Sequence, residues 1–314
     1  MQFNFRDATR AQAKASILIE GLSGKGKSGL ALLLANALTG DWSKVYALDT
    51  ENKSLDLFQG VNSSLGEPYG TFKKFDLTPY SPGGYSPSNY LDAREAAIAD
   101  GAGAFINDSL THMWTMKGGV LDLVSAVQTN MRNQAAAWGD ERVVEEKQKI
   151  YATARDSRIH VISTVRIKEK IGMDTEDGKT KIVSLGDQQI MMPDFKYEPD
   201  LVLRMVHAGN QNGKPPRARV IKSRYAIFAD DTEYDFTEPL LKDLVRYLGE
   251  GVDPKVLLER QRLEIIDEIT QLLDTDVSKK TMFPMLKEQQ GVSDVKLKDM
   301  ELPVLKTLLG ILYA

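Results

Sequence analysis

Gly21, Gly26, Lys27 and Ser28 lie in the run GLSGKGKS, which fits the spacing G-x-x-x-x-G-K-[ST]. Residues of these types at these intervals serve one chemistry. The backbone N–H groups of a glycine-rich turn curl around an anion, the lysine reaches the β- and γ-phosphates of a nucleotide, and the hydroxyl sits on Mg²⁺. Gly21, Gly24 and Gly26 give the backbone the freedom to curl, and Leu22, Ser23, Lys25 and Gly29 complete the cradle. ATP and Mg²⁺ are therefore the expected ligands; the alternative is a glycine-rich turn that binds nothing. Cleavage of the triphosphate needs a further carboxylate beside the metal and a group that orients water. Asp108, which ends the apolar run Ala104-Phe105-Ile106-Asn107, is the candidate carboxylate and would share Mg²⁺ with Ser28. Its other reading is a helix-capping aspartate ahead of Ser109-Leu110. Glu51 is the candidate for polarising water, with Lys27 as the second catalytic group.

These residues need elements to hold them. Ile17-Leu18-Ile19 reads as a buried strand before the glycine-rich loop, and Leu30 to Leu34 as a helix after it, closed at Thr39-Gly40. The start of that helix adds its positive dipole end to the anion site. Val45 to Leu48 reads as a second strand running into DTEN, which sets Glu51 where loops meet the phosphate edge of a doubly wound sheet. Ile159 to Val165 is a further buried strand. Helices are expected over 7–14, 91–99 and 114–154, and residues 60–90 as a surface excursion rich in Gly, Pro, Ser and Tyr. Residues 168–194 read as a hairpin or loop around Asp177-Gly178. Strands at 201–206 and 218–222, joined by a turn-rich link, predict an antiparallel extension of a mainly parallel α/β sheet. A helix over 240–248 leads to Gly249-Glu250-Gly251, the candidate boundary between a core at 1–250 and a helical domain at 251–314. Leu257, Ile265, Ile269, Leu272, Leu273, Leu302, Leu305, Leu308, Leu309 and Leu312 give that tail amphipathic faces. About 60 residues are marginal for independent stability, so a protein partner is a candidate role for it.

Composition narrows the function class. With 42% hydrophobic and 27% charged residues the chain reads as globular rather than disordered. No cysteine and three dispersed histidines (His112, His160, His207) argue against disulfides and thiolate or histidine zinc sites. No apolar run reaches the roughly 18–20 residues that span a bilayer, and the N-terminus lacks a signal-peptide core. A cytoplasmic protein without membrane contact is expected. The net charge of −4 means that any polyanion site is local. Such a site is offered by Arg204 to Arg224, with six Lys/Arg and no Asp or Glu. Arg217 and Arg219 in it are candidates for nucleic-acid phosphates; the alternative is a basic strand edge that discourages sheet pairing. Tyr80, Tyr85 and Tyr90 either stack on bases or pin the proline-rich loop. His160 reads as a sheet residue, His112 as a γ-phosphate sensor or a side chain packed under Trp114, and Met191-Met192-Pro193 as an apolar anchor.

Beyond these readings, LDTENKSLD (Leu48–Asp56) resembles the bacterial recombinase RecA around its catalytic glutamate, including the 24-residue offset of Glu51 from Lys27. FINDSLTHMW (Phe105–Trp114) is similar to the Asp-Ser that closes the Walker B strand of that superfamily. STVRIKEK (Ser163–Lys170) resembles the end of its sensor strand, beyond which RecA carries a mobile DNA-binding loop; this implies Arg166 and Lys168 as DNA contacts. VIKSRY (Val220–Tyr225) looks like the K-x-R element of RecA-core motors such as the DnaB helicase, which implies Lys222 and Arg224 as cations reaching a neighbouring subunit's γ-phosphate. Lys25 and Ser28 stand where RecA has serine and threonine. Over residues 10–245 the set is most similar to the RecA-core ATPases of phages, including the Sak-type single-strand annealing ATPases. The resemblance implies ATP hydrolysis on single-stranded DNA in recombination, annealing or replication, a ring or filament of identical subunits, and residence in a host cytoplasm. A P-loop kinase with an acceptor pocket at 69–90, or a slowly hydrolysing assembly or loader protein, are the alternatives.

Overall fold

The computed structural model describes residues 8–129, 134–176, 179–210 and 212–313. The chain divides into two compact units, one running from Ala13 to Leu248 and the other combining the described residues 8–12 with residues 249–313.

The larger unit is built on a nine-stranded mixed sheet. Its strands are β1 (Ser16–Gly21), β2 (Val45–Asp49), β3 (Lys73–Asp76), β4 (Ala104–Asp108), β5 (His160–Glu176), β6 (Lys179–Gln189), β7 (Leu201–His207), β8 (Arg217–Ser223) and β9 (Glu233–Asp235). The order is β3-β2-β4-β5-β1-β7-β8-β9, with β6 paired to β5 alone. From β3 to β7 every neighbouring pair is parallel, while β8, β9 and β6 run antiparallel to their partners. The α/β sheet with an antiparallel extension thus forms, except that the extension begins at β8, because β7 lies parallel to β1. Two strands went unread in the sequence. β3 lies inside the Gly/Pro/Tyr-rich stretch expected to be a surface excursion, and β9 is only three residues long, too short for a period-two pattern to stand out.

A parallel strand covered on both faces has no polar side, and β1 shows it: every residue is buried. Ile17 and Ile19 pack on one face with the helix α1 (Lys27–Thr39), whereas Leu18 faces the other. That opposite layer holds α2 (Pro87–Ala99), α3 (Leu110–Thr115), α4 (Val120–Gln128) and α5 (Glu141–Thr153), while α6 (Glu238–Gly249) joins α1. Helix α1 ends where Gly40 adopts φ +67° and its N–H donates to the Asn36 carbonyl at 2.8 Å. Helix α2 begins four residues before the expected Leu91, because Ser86 accepts from the Asn89 N–H and Pro87 occupies the first turn. The single helical span expected over 114–154 is interrupted by Gly118-Gly119. A side chain at Gly118 would strike the Gly83 carbonyl, and Asp140 caps a fresh start at Glu141, its side chain accepting from the Arg142 N–H. Residues 8–14, the described part of the helix expected over 7–14, form no helix; Ala11 instead bridges Val252, whose carbonyl accepts from the Gln12 N–H.

His160, read as a sheet residue, is the buried first residue of β5 rather than one in mid-strand. Its Nδ1 accepts the Ala15 N–H at 2.9 Å, which requires an unprotonated nitrogen. Burial, with some help from Lys14, pushes its pKa down to about 4. A group depressed in the folded state stabilises the fold above its unfolded value, near 6.5, and that stability is lost as pH falls through the folded value. Unfolding free energy is therefore expected to drop by up to about 3 kcal/mol between pH 6.5 and 4 on account of this residue. Urea titrations of wild type and His160→Asn, whose amide oxygen can still accept from Ala15, should show this part of the pH slope only in the wild type.

The smaller unit contains α7 (Pro254–Thr275), α8 (Val277–Gln289) and α9 (Leu302–Tyr313). Ile269, Phe283, Leu286, Met300, Leu305, Leu308, Leu309 and Leu312 form its core. Leu257 and Leu302, expected on the apolar faces, are only partly buried. Among the described residues no helix is long and apolar enough to cross a membrane.

Candidate functional site

The sheet order explains how residues far apart in sequence meet. β2, β4, β5 and β1 lie side by side and parallel, so their C-terminal ends open on one edge. Asp49 pairs with Asp108 across β2 and β4, and Gly21 with Arg166 across β1 and β5. The glycine-rich loop leaves β1 at this edge and enters α1 at Lys27. Gly24 and Gly26 adopt φ +75° and +87°. At Gly26 a side chain is excluded twice over, since a Cβ would lie 2.4 Å from the Ala208 Cβ in the turn after β7.

Lys27 is 8% exposed, and its Nζ donates to the Leu22 carbonyl at 3.0 Å, holding the ammonium inside the loop. Burial lowers its pKa, opposed by the negative charges of Asp108 and Glu51. Lys25 is exposed on the same loop. Asp108 is buried. Burial raises its pKa and the charges of Glu51 and Asp49 add to the rise, opposed by the Ser28 and Thr164 hydroxyls. Its Oδ1 accepts from the Thr164 hydroxyl, while Oδ2 has no hydrogen-bond partner. A buried carboxylate oxygen without a donor, beside a serine hydroxyl, is the donor set a hard divalent cation uses together with phosphate oxygens. No cluster of three or more His, Cys or acidic side chains able to hold a metal by themselves occurs among the described residues. The residues present fit Mg²⁺, with Ser28 and Asp108 as its holders.

Glu51 sits at the same edge. Its N–H donates to Asp49 Oδ1 at 2.8 Å, which folds the chain back after β2. Its Oε1 accepts from the Ser109 hydroxyl at 2.9 Å and from Arg166 Nε at 3.0 Å, and its Oε2 accepts from a second guanidinium nitrogen of Arg166. Burial would raise its pKa, but these hydrogen bonds and the positive charge of Arg166 outweigh it and hold the carboxyl below its ordinary value. Beneath it, Thr50 ties the strands together. Its hydroxyl accepts the Ser109 N–H at 2.8 Å, and its own N–H donates to the Asp108 carbonyl at 2.7 Å. The Asp108–Ser109 peptide bond is cis.

The structure therefore brings Gly21 to Gly29, Glu51 and Asp108 together at one edge. It does not bring Lys222 and Arg224 there. β8 runs antiparallel, so its C-terminal end lies beside the start of β7, at the opposite edge. Lys222 Nζ donates to the Tyr197 and Pro199 carbonyls at 2.5 and 2.6 Å, and Arg224 pairs with Asp200 at 2.9 Å. The basic run is also less free than its sequence suggests. Arg204 pairs with Glu20, Arg217 with Asp235 at 2.6 Å and Arg219 with Glu233 at 3.5 Å, all acids remote in sequence. Arg166, expected among DNA contacts, is bonded to Glu51, whereas Lys168 is exposed on β5. Asp177 and Gly178 lie outside the described residues.

Of the tyrosines, Tyr85 and Tyr90 are buried, Tyr90 donating to the Ser109 carbonyl at 2.8 Å, and Tyr80 is exposed. Tyr69 is buried too, whereas Lys74, Phe75, Leu77, Pro82 and Asn89 of the stretch 69–90 line a cavity of about 550 Å³ together with Tyr46 and Phe105. His112 does not pair with Trp114, whose ring partner is Trp138. Its Nδ1 lies 2.8 Å from the Thr50 hydroxyl, its Nε2 3.9 Å from Glu51, and its ring 5.2 Å from that of Tyr85. Met191 and Met192 are buried as an anchor. The sequence reading passed over Thr50, Ser109, Thr164 and the inward role of Arg166. Their only signal was position at or just past the ends of strands already predicted. Compared with models of protein families and with curated proteins, the sequence has no match.

Proposed function

We propose that this chain is a RecA-like P-loop ATPase that binds Mg-ATP and hydrolyses it in action on single-stranded DNA. The observation that carries the reading is the meeting of Lys27, Ser28, Asp108 and Glu51 at the C-terminal edge of four adjacent parallel strands, with Asp108 Oδ2 left without a donor.

In this reading the loop N–H groups and Lys27 hold the triphosphate, and Lys27 counters charge that grows on the phosphoryl oxygens. Ser28 and Asp108 hold Mg²⁺, which when bound neutralises charge on the β- and γ-phosphates. Glu51 orients water and takes its proton through the acceptor site on Oε2 that the Ser109 and Arg166 hydrogen bonds leave open. Ser109 fixes one oxygen of Glu51, and Thr50 fixes Ser109. Lys222 and Arg224, at the far edge of the sheet, can serve a nucleotide only from another copy of the chain. In the ring or filament that the resemblance implies, their present contacts would exchange for phosphate.

Phosphate release from Mg-ATP, measured with and without oligo-dT at several salt concentrations, tests the reading. Turnover is expected to rise with oligo-dT and the stimulation to fade steeply as salt increases, because phosphate contacts release counterions. A rate indifferent to DNA at all salts would remove the DNA part, and no turnover at all would remove the ATPase.

A further inference from the structure

His112 is a buried titratable side chain at the site to which the reaction above gives no part. It is 5% exposed on α3, and its ring lies against that of Tyr85. What it touches follows from counting donors. The Thr50 hydroxyl accepts the Ser109 N–H at 2.8 Å, and its single proton has the Asp108 and Ser109 carbonyls within reach at 3.1 and 3.2 Å. A hydroxyl has two acceptor sites. The second is left for His112 Nδ1 at 2.8 Å, which therefore carries the ring proton. In the neutral ring Nε2 is then unprotonated, and it faces Glu51 Oε1 at 3.9 Å.

These contacts close a circuit. His112 holds Thr50, Thr50 holds Ser109, and the Ser109 hydroxyl donates to Glu51 Oε1 at 2.9 Å, the oxygen that the histidine faces. The four residues come from the ends of β2 and β4 and from α3, so the circuit fixes three segments against one another. A carboxylate fastened at Oε1 keeps Oε2 in one direction, and Oε2 is where water can be accepted. The charged and titratable groups around the His112 ring are Glu51 and Asp49 at the end of β2, Arg166 on β5, and Tyr85 just before α2. Burial lowers the His112 pKa, opposed by the charge of Glu51 and helped by that of Arg166. A proton gained at Nε2 sets a second positive charge beside that of Arg166 against the carboxylate and makes it a weaker base.

We propose that His112 is a positioning residue for Glu51: through Thr50 and Ser109 it fixes the direction of the carboxylate, and its neutral ring keeps that carboxylate basic. This rests on the ATPase reading of the same site.

Turnover of Mg-ATP by full-length wild type, His112→Ala and His112→Asn between about pH 5 and 8, with the fold checked by circular dichroism at each pH, tests it. Near pH 7.5, His112→Ala should lower kcat about tenfold, the rate equivalent of one lost hydrogen bond, with KM for ATP unmoved. His112→Asn, whose amide nitrogen stands near the place of Nδ1 and can still donate to Thr50, should recover kcat to within about threefold of wild type. The pH profile separates positioning from mere packing. As pH falls below about 6.5 the wild-type ring gains its proton, and kcat should decline on an acid limb. His112→Asn should lack that limb down to about pH 5, which is above the range in which Glu51 itself protonates. A His112→Ala kcat equal to that of wild type, a His112→Asn kcat no better than that of His112→Ala, or the same acid limb in wild type and His112→Asn overturns the positioning role while leaving the ATPase in place. No turnover by wild type at any pH overturns the ATPase reading itself, and the role of His112 with it.

Discussion

Lys27→Ala is expected to weaken Mg-ATP binding by at least about 100-fold, equivalent to about 2.7 kcal/mol, the scale of a charged hydrogen bond lost. The reason lies in how the ammonium is housed. Lys27 is buried and has one carbonyl, that of Leu22, as its hydrogen-bond acceptor. Burial lowers its pKa in spite of Asp108 and Glu51 nearby, so the protein alone compensates its charge incompletely. On the proposed function a triphosphate would supply the missing negative charge, and binding would gain accordingly. The same logic gives the fold a different response: removing an under-compensated buried charge should leave the melting temperature unchanged or slightly higher. Calorimetric titration with Mg-ATP and a thermal melt of both proteins separate the two effects. A dissociation constant unchanged by the substitution would mean that the loop does not grip phosphate.

Glu51→Gln should show the complementary pattern, with Mg-ATP binding retained and turnover reduced about 10²- to 10³-fold, the range for removing a positioned general base. The amide is nearly isosteric and can still accept from the Ser109 hydroxyl through its oxygen. It cannot take a proton from water, and it no longer pairs as an ion with Arg166. Single-turnover phosphate release beside nucleotide titration checks the split between binding and chemistry. Equal losses in both would instead mark Glu51 as part of the nucleotide-binding surface.

The edge of the sheet that forms the candidate site was legible in sequence because each part of it obeys a local rule. The glycine spacing, the β-branched run before it and the apolar run after it all lie within the stretch from Ser16 to Leu34. The ends of β2 and β4 announce themselves by apolar runs stopping on acids. What was not legible depends on contacts between distant segments. The basic residues from Arg204 to Arg224 read as uncompensated because Glu20, Asp200, Glu233 and Asp235, which pair with four of them, lie outside that run. Arg166 could be placed just past the end of a strand, but only the adjacency of β5 and β4, with β2 next to them, turns it toward Glu51. β3 was hidden because it is an edge strand with alternating exposed and half-buried residues, set in a stretch whose Gly, Pro and Tyr content outweighs four residues of strand. Tyr85 and Tyr90, ambiguous between stacking on a ligand and holding a loop, are buried because α2 begins between them at Pro87.

The central claim is that this edge of the sheet receives a triphosphate and its metal. A crystal structure of the protein with Mg²⁺ and a non-hydrolysable ATP analogue tests it directly. The account predicts phosphate density within Gly21 to Ser28, the metal between the Ser28 hydroxyl and the Asp108 carboxylate, and the terminal phosphate on the side where Glu51 stands. An analogue bound elsewhere, or a cradle left empty at saturating concentration, would contradict it.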